Sequence, residues 1–338
     1  MPPKSSTSLD FLVIGAARCG TTSLHEYLRR YPGVRVPANK EAPFFVTREE
    51  YRQGWDRFAL RLFGGRPERK RRIRGKVTPQ YMAGSLYWVQ SSPPQGNSFD
   101  LVGTADPEVA ATIVPRRIAA HRPDIKLIAI LRDPTERALS HYRHAVAQGW
   151  EARPPNVAFR DALQPDALDR ARLMPGEYLS SYVAFGEYAR ILGGYLSVFD
   201  PSQLCVLSYL DLRDEPINTL RRVLRHIGRD DHVVPSVGRE RFNASNCSPR
   251  FPSLDMRLWD RRTSQWRYGW QLWSKAGPRT RSAIDHLTAY AFRLDERYNR
   301  VAIAAEGDAD EATALLNTHY APWNERLTSI VGQVRGVT

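Results

Sequence analysis

The chain has 338 residues, 42% of them hydrophobic and 10% aromatic, and a formal net charge of +13. This composition excludes a disordered or fibrous protein, and the length is enough for one large α/β domain or two small ones around a sizeable core. Lysine is scarce, so most of the charge is arginine, which favours partners that carry phosphate, sulfate or carboxylate groups, although an arginine-rich genome would give the same excess.

The cysteine and hydropathy patterns indicate the cellular compartment of the protein. Three cysteines, Cys19, Cys205 and Cys247, are too few and too far apart for a disulfide framework or a zinc cluster, which favours a reducing environment. No apolar leader precedes Phe11, and no run approaches the ~20 apolar residues that span a bilayer. We therefore expect a cytoplasmic protein with no transmembrane segment, for which peripheral contact with a membrane stays open.

The first predicted elements are a strand and a glycine loop within residues 11–24 and a helix that continues to Arg30. Residues 11–14 are apolar and predict a short buried strand, Gly15 and Gly20 bracket a tight loop, and the residues after Gly20 predict a helix. Glycines let backbone N–H groups converge, and the start of a helix adds unpaired donors and partial positive charge. This unit therefore predicts an anion site, with an ordinary glycine turn as the alternative.

The chemistry of the loop narrows the class of anion. Gly15 and Gly20 have the spacing of a nucleotide-binding P-loop, yet Thr21 stands where an ATPase or GTPase needs lysine. Arg18 is the only positive residue in the loop. Arginine and hydroxyl groups suit a single phosphate or a phosphosulfate better than a triphosphate with Mg²⁺.

Strands and helices then alternate along the chain. The pattern predicts strands at 34–36, 74–77, 125–131 and 204–207, helices from 134, at 182–199 and at 216–227, loops at 37–45 and 91–107, and irregular structure at 149–176. This alternation predicts an α/β fold with a P-loop-like central parallel sheet of about five strands, flanked by helices. The basic run at 66–76 is typical of a solvated face, with nucleic-acid binding as the alternative.

A second strand-to-helix junction begins at Arg132. The predicted strand at 125–131 runs directly into Arg132, after which Asp133 and Pro134 are typical of a helix start, and Glu136 completes a capping box. Ser140 lies two turns into that helix. Because ligands bind beyond the carboxyl ends of parallel strands, Arg132 and Ser140 can face the same crevice as the glycine loop. A local ion pair between Arg132 and Asp133 is the alternative.

A tryptophan- and arginine-rich segment lies near the C-terminus, and residues 255–315 are expected to be mostly helical. Its tryptophans are offset by 7, 4 and 3 residues, which places them on one helical face: Trp259, Trp266, Trp270 and Trp273. The segment either packs these rings on the core or forms an interfacial or acceptor-binding surface.

Four ordered motifs within residues 11–142 resemble one family. They read IGAARCGTTSL, KEAPFF, GKVTPQY and LIAILRDPTERALSHY. Together they resemble the sulfotransferases that use 3′-phosphoadenosine 5′-phosphosulfate (PAPS), above all the heparan sulfate N- and 3-O-sulfotransferases and their soluble bacterial relatives. Weaker similarity continues at 185–192, 209–212 and 320–327. The resemblance implies a single sulfotransferase domain over residues 8–338 that includes the C-terminal helical segment.

The resemblance also implies how PAPS would be held. The 5′-phosphosulfate would bind the glycine loop, through Arg18, Cys19, Gly20, Thr21, Thr22 and Ser23. The 3′-phosphate would bind Arg132 and Ser140, and Arg250 would contact the adenosine end, where the similarity is loose. Many members have lysine at the position of Arg18, and arginine can still neutralise charge on the leaving phosphate.

Two further residues are implied to act in the reaction. Glu41 matches the general base of the heparan sulfate branch, and Lys76 matches a lysine near the transferring group. From the residues alone, Glu41 would be a loop carboxylate paired with Lys40, and Lys76 one more member of the basic run.

The implied reaction transfers a sulfuryl group from PAPS to a hydroxyl or amine, leaving 3′-phosphoadenosine 5′-phosphate. The acceptor would be a small molecule, a saccharide or a glycolipid, with no metal and no nucleic acid as partners, and the oligomeric state stays open. His141 and His144 are spaced to share a metal, but no third ligand is evident. A P-loop kinase or NTPase and a basic polyanion-binding protein are the competing hypotheses.

Overall fold

The computed structural model describes residues 9–38, 40–41, 43–63, 72–86, 103–147, 150–175, 181–229, 247–249, 300–302 and 309–335. The chain divides into two compact units. The first contains the described residues up to 141, from 155 to 229 and from 309 to 335. The second contains 142–147, 150–154 and two short antiparallel strands, β6 (Cys247–Pro249) and β7 (Arg300–Ala302). One domain over 8–338 stays a prediction, and the tryptophan-rich segment lies outside the described residues.

A five-stranded sheet forms the centre of the first unit. Its strand order is β2-β3-β1-β4-β5, and every neighbouring pair is parallel. The strands are β1 (Phe11–Gly15), β2 (Val34–Arg35), β3 (Ile73–Val77), β4 (Lys126–Leu131) and β5 (Leu204–Ser208). All of β1 and the interior of β4 are buried, as expected for strands covered on both faces. The predicted fold class is confirmed.

Helices cover the sheet. In the described residues they are α1 (Thr21–Arg30), α2 (Arg48–Arg52), α3 (Trp55–Phe63), α4 (Pro107–Ala111), α5 (Ile113–His121), α6 (Pro134–Ala147), α7 (Pro155–Ala162), α8 (Pro165–Leu173), α9 (Tyr188–Leu196), α10 (Tyr209–Asp214), α11 (Pro216–His226) and α12 (Ala309–Arg335). Short 3₁₀ turns occupy Pro79–Met82, Ala184–Gly186 and Pro201–Gln203. Among these described helices, none has the length and apolar character needed to cross a membrane.

Two helix predictions are corrected by the structure. The segment predicted to be irregular at 149–176 contains two helices, α7 and α8, each of which begins at a proline. Proline fits the first helical position, where its missing N–H costs nothing. The predicted helix at 182–199 is divided into a 3₁₀ turn and the shorter α9. Of the predicted loop at 91–107, residues 91–102 lie outside the described residues.

A buried carboxylate joins α8, α9 and α12. Glu187 is fully buried, and its oxygens accept from Arg172 at 2.7 Å and from Arg190 at 2.8 Å, with His319 Nε2 at 3.2 Å. Burial alone would raise the pKa of Glu187, but the contact with His319 and the charges of the two arginines outweigh it and lower the pKa to about 2. The carboxylate therefore stays ionised inside the protein and fixes three helices.

Candidate active site

The carboxyl ends of β3, β1 and β4 lie side by side, because these are consecutive strands in the sheet. Two backbone hydrogen bonds extend beyond the strands. The Ala16 N–H donates to the Ile130 carbonyl oxygen at 2.9 Å, and the Thr78 N–H donates to the Val13 carbonyl oxygen at 3.0 Å. The segments that follow the three strands therefore start from fixed positions at the edge where open parallel sheets bind ligands.

The glycine loop between β1 and α1 has an unusual backbone. Arg18 has a φ of +68° and Gly20 a φ of +82°, both in the left-handed region. A methyl group on Gly20 would lie 3.0 Å from Leu212 Cδ2 and 3.2 Å from Tyr209 Cδ2, so glycine is needed for both its φ and its close approach. Glycine also offers no capping oxygen to α1, so the first-turn N–H groups at 21–23 remain for an anion.

The side chains of the loop have different surroundings. Thr21 is buried, whereas Thr22, Ser23 and Arg18 are half-buried. Cys19 points into the core, with its Sγ 3.6 Å from the Tyr188 hydroxyl, and burial raises the pKa of its thiol. The Cys19 side chain therefore packs inside the protein, where its thiol also donates to the Ala17 carbonyl oxygen at 3.6 Å.

The second junction has the predicted Asp133 cap, but the Glu136 carboxylate accepts from Arg132 and does not complete the predicted capping box. The Glu136 N–H donates to Asp133 Oδ1 at 2.8 Å, which confirms Asp133 as the cap of α6. Arg132 Nε donates to Glu136 Oε2 at 2.9 Å, so the ion-pair partner of Arg132 is Glu136 on the first turn. Ser140 is buried on the same helix. Arg132 and Ser140 thus belong to one rigid element at the end of β4.

Tyr209 connects the two junctions. It begins α10 directly after β5, and the Arg132 guanidinium lies 4.9 Å from the centroid of its ring. The same ring packs against Gly20. The sequence showed Tyr209 only as part of the weak similarity at 209–212, because nothing in a single strand-to-helix motif indicates contact with two other strand ends.

Lys76 is an internal lysine of β3. Its side chain is fully buried, and burial lowers its pKa to about 7, with Lys40 lowering it further and Glu41 opposing the shift. The interpretation of Lys76 as one more solvated basic residue is therefore wrong. A lysine that titrates near neutral pH is typical of functional sites, because it can change its charge when a ligand arrives.

Glu41 is held at both carboxylate oxygens. Lys40 Nζ donates to Oε1 at 2.9 Å, so the ion pair expected from the residues alone is present. Gln80 Nε2 donates to Oε2 at 2.6 Å from the 3₁₀ turn that follows β3. The Glu41 side chain is 39% exposed, so it is fixed and still reachable from solvent. Gln80 was missed at the level of sequence, because a glutamine after Thr-Pro carries no recognisable signal.

A buried histidine links α1 to the segment that precedes Glu41. His25 Nε2 lies 2.9 Å from the Pro37 carbonyl oxygen, and Nδ1 lies 3.1 Å from Glu26 Oε1. Burial lowers the pKa of His25, and the contact with Glu26 opposes that shift. Nearby Lys76 also lowers the pKa of His25. The glycine-loop helix and the segment leading to Glu41 are therefore fastened together.

The remaining candidates are placed as follows. Arg250 lies outside the described residues. His141 is buried, and its Nδ1 lies 3.3 Å from Arg137 Nη1. Its ring stacks on Phe185 with the ring centroids 5.8 Å apart, so His141 has a packing role. Within the described part of the chain, no group of three or more histidine, cysteine, aspartate or glutamate residues could hold a metal ion.

The curated proteins similar to this chain include heparan sulfate sulfotransferases from several vertebrates. The mouse "Bifunctional heparan sulfate N-deacetylase/N-sulfotransferase 2" is 26% identical over 224 residues, which is 64% of this chain and 22% of that protein. The human "Heparan sulfate glucosamine 3-O-sulfotransferase 6" is 29% identical over 244 residues, covering 72% of this chain and 57% of that protein. The chain thus spans about a fifth of the first relative's length and just over half of the second.

The fold has a similar counterpart in the crystal structure of a sulfotransferase from Alicyclobacillus acidocaldarius. The TM-score is 0.51 and the sequence identity 26%, and the match covers 68% of this chain and 84% of that one. A family model described as "Sulfotransferase family" matches residues 10–232, which include the sheet, the glycine loop, Glu41, Lys76 and the second junction. Because this match covers about two thirds of its length, the chain belongs to the Sulfotransferase family.

Proposed function

We propose that this protein transfers a sulfuryl group from PAPS to a hydroxyl or amine of an acceptor and releases 3′-phosphoadenosine 5′-phosphate. The observation that carries the proposal is the pair of anion-suited junctions at the ends of the adjacent strands β1 and β4, joined by the Tyr209 ring. PAPS carries an anionic group at the 5′ position and another at the 3′ position of its ribose, so two such junctions match its two anionic groups. We call residues 16–23 and 132–140 together the donor edge.

In this proposal the donor edge grips both ends of PAPS. The N–H groups at the start of α1, together with Arg18 and the hydroxyl groups of Thr21, Thr22 and Ser23, bind the 5′-phosphosulfate. Arg132 and Ser140 bind the 3′-phosphate, and Arg250 contacts the adenosine end. Cys19 contributes through its backbone, since its side chain is buried against Tyr188.

The reacting groups belong to the neighbouring strands. We call residues 40–41 together with 76–80 the acceptor edge. The acceptor oxygen or nitrogen attacks sulfur, the bond between sulfur and the bridging phosphate oxygen breaks, and Glu41 takes the acceptor's proton. Arg18 and a protonated Lys76 stabilise the charge that develops on the leaving phosphate. Positioning and charge supply the catalysis, and the proposed step uses no metal.

The acceptor is proposed by analogy with the relatives. Both curated relatives described above carry heparan sulfate in their names, which favours a saccharide acceptor. A glycolipid or another small molecule is the alternative acceptor. Cys19 and Cys205 are free and buried, which agrees with a reaction in the cytoplasm.

A thermal-shift titration followed by a transfer assay tests the proposal. We expect 3′-phosphoadenosine 5′-phosphate to raise the melting temperature, whereas ATP with Mg²⁺ leaves it unchanged. Radiolabelled PAPS should then label N-acetylated or N-unsubstituted glucosamine oligosaccharides. Stabilisation by ATP with Mg²⁺ alone would instead favour an NTPase, and stabilisation by heparin alone a polyanion-binding protein.

A further inference from the structure

The carboxylate of Glu41 is fixed from two sides by residues of the acceptor edge. Lys40 holds Oε1 at 2.9 Å, and Gln80 holds Oε2 at 2.6 Å. Lys40 is adjacent to Glu41 in sequence, so their ion pair does not fix Glu41 relative to another element. Gln80 is 39 positions away in sequence and belongs to a different element. Of the two residues, only Gln80 therefore fixes the position of Glu41 relative to the sheet.

Gln80 is itself rigidly placed. The turn Pro79–Met82 follows β3 after the single residue Thr78, and proline occupies its first position. The Tyr81 N–H donates to the Thr78 carbonyl oxygen at 3.1 Å, and the Tyr195 hydroxyl donates to the Tyr81 carbonyl oxygen at 3.0 Å. A side chain on such a turn can hold a loop carboxylate at a constant distance from Lys76 on the preceding strand β3.

The direction of the hydrogen bond favours one charge state of Glu41. An ionised carboxylate only accepts hydrogen bonds, so Gln80 must present its NH₂ group and not its oxygen to Oε2. Donation to a carboxylate stabilises the ionised form, which is the form that can take a proton. Gln80 Oε1 is buried and accepts no hydrogen bond from the described residues, so the amide is oriented by Glu41 and not by another partner.

We propose that Gln80 is a positioning residue of the reaction, which holds Glu41 ionised and directed at the acceptor through its side-chain amide. This inference rests on the proposed role of Glu41 as the general base. Gln80 contacts neither the donor nor the acceptor in this proposal, so its effect is transmitted entirely through Glu41.

The test is a double-mutant cycle with a pH profile. We expect Gln80→Leu to lower kcat about tenfold while the Kd for 3′-phosphoadenosine 5′-phosphate changes less than twofold. The acid limb of the kcat profile should move to higher pH, because the ionised carboxylate loses a hydrogen-bond donor. Gln80→Glu should move the acid limb further, because two carboxylates would then share one site. The matched control, Gln53→Leu on an exposed glutamine, should change neither kcat nor the acid limb.

The decisive comparison is with Glu41→Gln. If Gln80 acts through Glu41, the double variant Glu41→Gln with Gln80→Leu will be as slow as Glu41→Gln alone. Rate losses that multiply, or a slower Gln80→Leu enzyme with an unmoved acid limb, would overturn the inference. Near-normal turnover of Glu41→Gln itself would refute the proposed base, an outcome separate from the other two. Retained binding of 3′-phosphoadenosine 5′-phosphate shows that each variant is folded.

Discussion

The donor edge and the acceptor edge are built by different kinds of interaction. At the donor edge, a glycine loop, two helix starts and a helix cap place the groups, and most of the contacts join residues within a few positions of each other. At the acceptor edge, side chains from separate segments meet: Gln80 reaches Glu41 across 39 positions, and Lys76 titrates under the influence of Glu41 and Lys40. Local backbone geometry therefore supplies most of the donor edge, to which Tyr209 adds a long-range contact, whereas the acceptor edge depends on the long-range contact between Gln80 and Glu41.

This difference has a consequence for substitution. Backbone N–H groups cannot be removed by changing one side chain, so the donor edge should lose affinity in steps as single contacts are deleted. At the acceptor edge, changes at Glu41 or Gln80 should lower turnover strongly and leave donor binding intact, whereas Lys76, whose charge is proposed to face the leaving phosphate, should also affect donor binding. The predictions that follow test this separation.

Replacing the proposed base should give the largest effect. We expect Glu41→Gln to lower kcat by about 10²-fold or more, because proton transfer to a positioned base contributes on the order of 10²–10⁴. The Kd for 3′-phosphoadenosine 5′-phosphate should stay within twofold, as measured by calorimetry. Glu215→Gln, on an exposed glutamate, is the control. Loss of donor affinity in Glu41→Gln would show that the two edges are not separable.

Removing the proposed 3′-phosphate contact should affect the other edge. Arg132→Met should weaken binding of 3′-phosphoadenosine 5′-phosphate about 10- to 100-fold, since hydrogen bonds to charged groups contribute about 1.5–3 kcal/mol. Binding of adenosine 5′-phosphate, which lacks the 3′-phosphate, should not change. Arg221→Met on α11 controls for the loss of surface charge. Equal weakening of both nucleotides would assign Arg132 to another part of the donor.

The pH dependence of donor binding should report Lys76. Its pKa of about 7 in the free protein means that Lys76 is largely neutral above that pH. An anionic donor favours the charged form, so binding takes up a proton, and affinity should fall by up to about tenfold per pH unit above 7. Calorimetry at pH 8 in buffers of different ionisation enthalpy measures that proton. Lys76→Met should bind the donor more weakly and take up no proton on binding. Proton uptake that persists in this variant would assign the proton to another group.

The smallest effect should come from the loop backbone. Gly20→Ala should lower stability by about 1 kcal/mol more than Gly54→Ala and weaken donor binding several-fold. Both glycines have positive φ, +82° and +83°, but a methyl group meets Leu212 and Tyr209 at position 20 and nothing within 4 Å at position 54. The difference between the two unfolding free energies therefore isolates the contact. Equal losses of stability in the two variants would show that the positive φ, and not the contact with Leu212 and Tyr209, determines the loss.

The sequence predicts the donor edge well, because its signals are local. The glycine loop before α1 and the Asp133 cap of α6 each follow from a few consecutive residues, and the parallel sheet follows from the alternation of short strands and helices; the structure confirms all three. The two helices inside 149–176 were missed, because short segments that begin with proline look like loops. Gln80 and Tyr209 were missed for a different reason: their roles come from contacts between elements, which only the folded chain brings together.

The buried Glu187 also bears on how the chain folds. Arg190 lies three positions from Glu187 and Arg172 fifteen, so these partners can neutralise the carboxylate as soon as their own helices form. His319 on α12 lies 132 positions away, and closing a loop of that length carries an entropic cost that grows with the logarithm of its length. We therefore expect α12 to dock last, onto a charge that is already compensated, as a cooperative unit that hydrogen exchange would show opening before the sheet does.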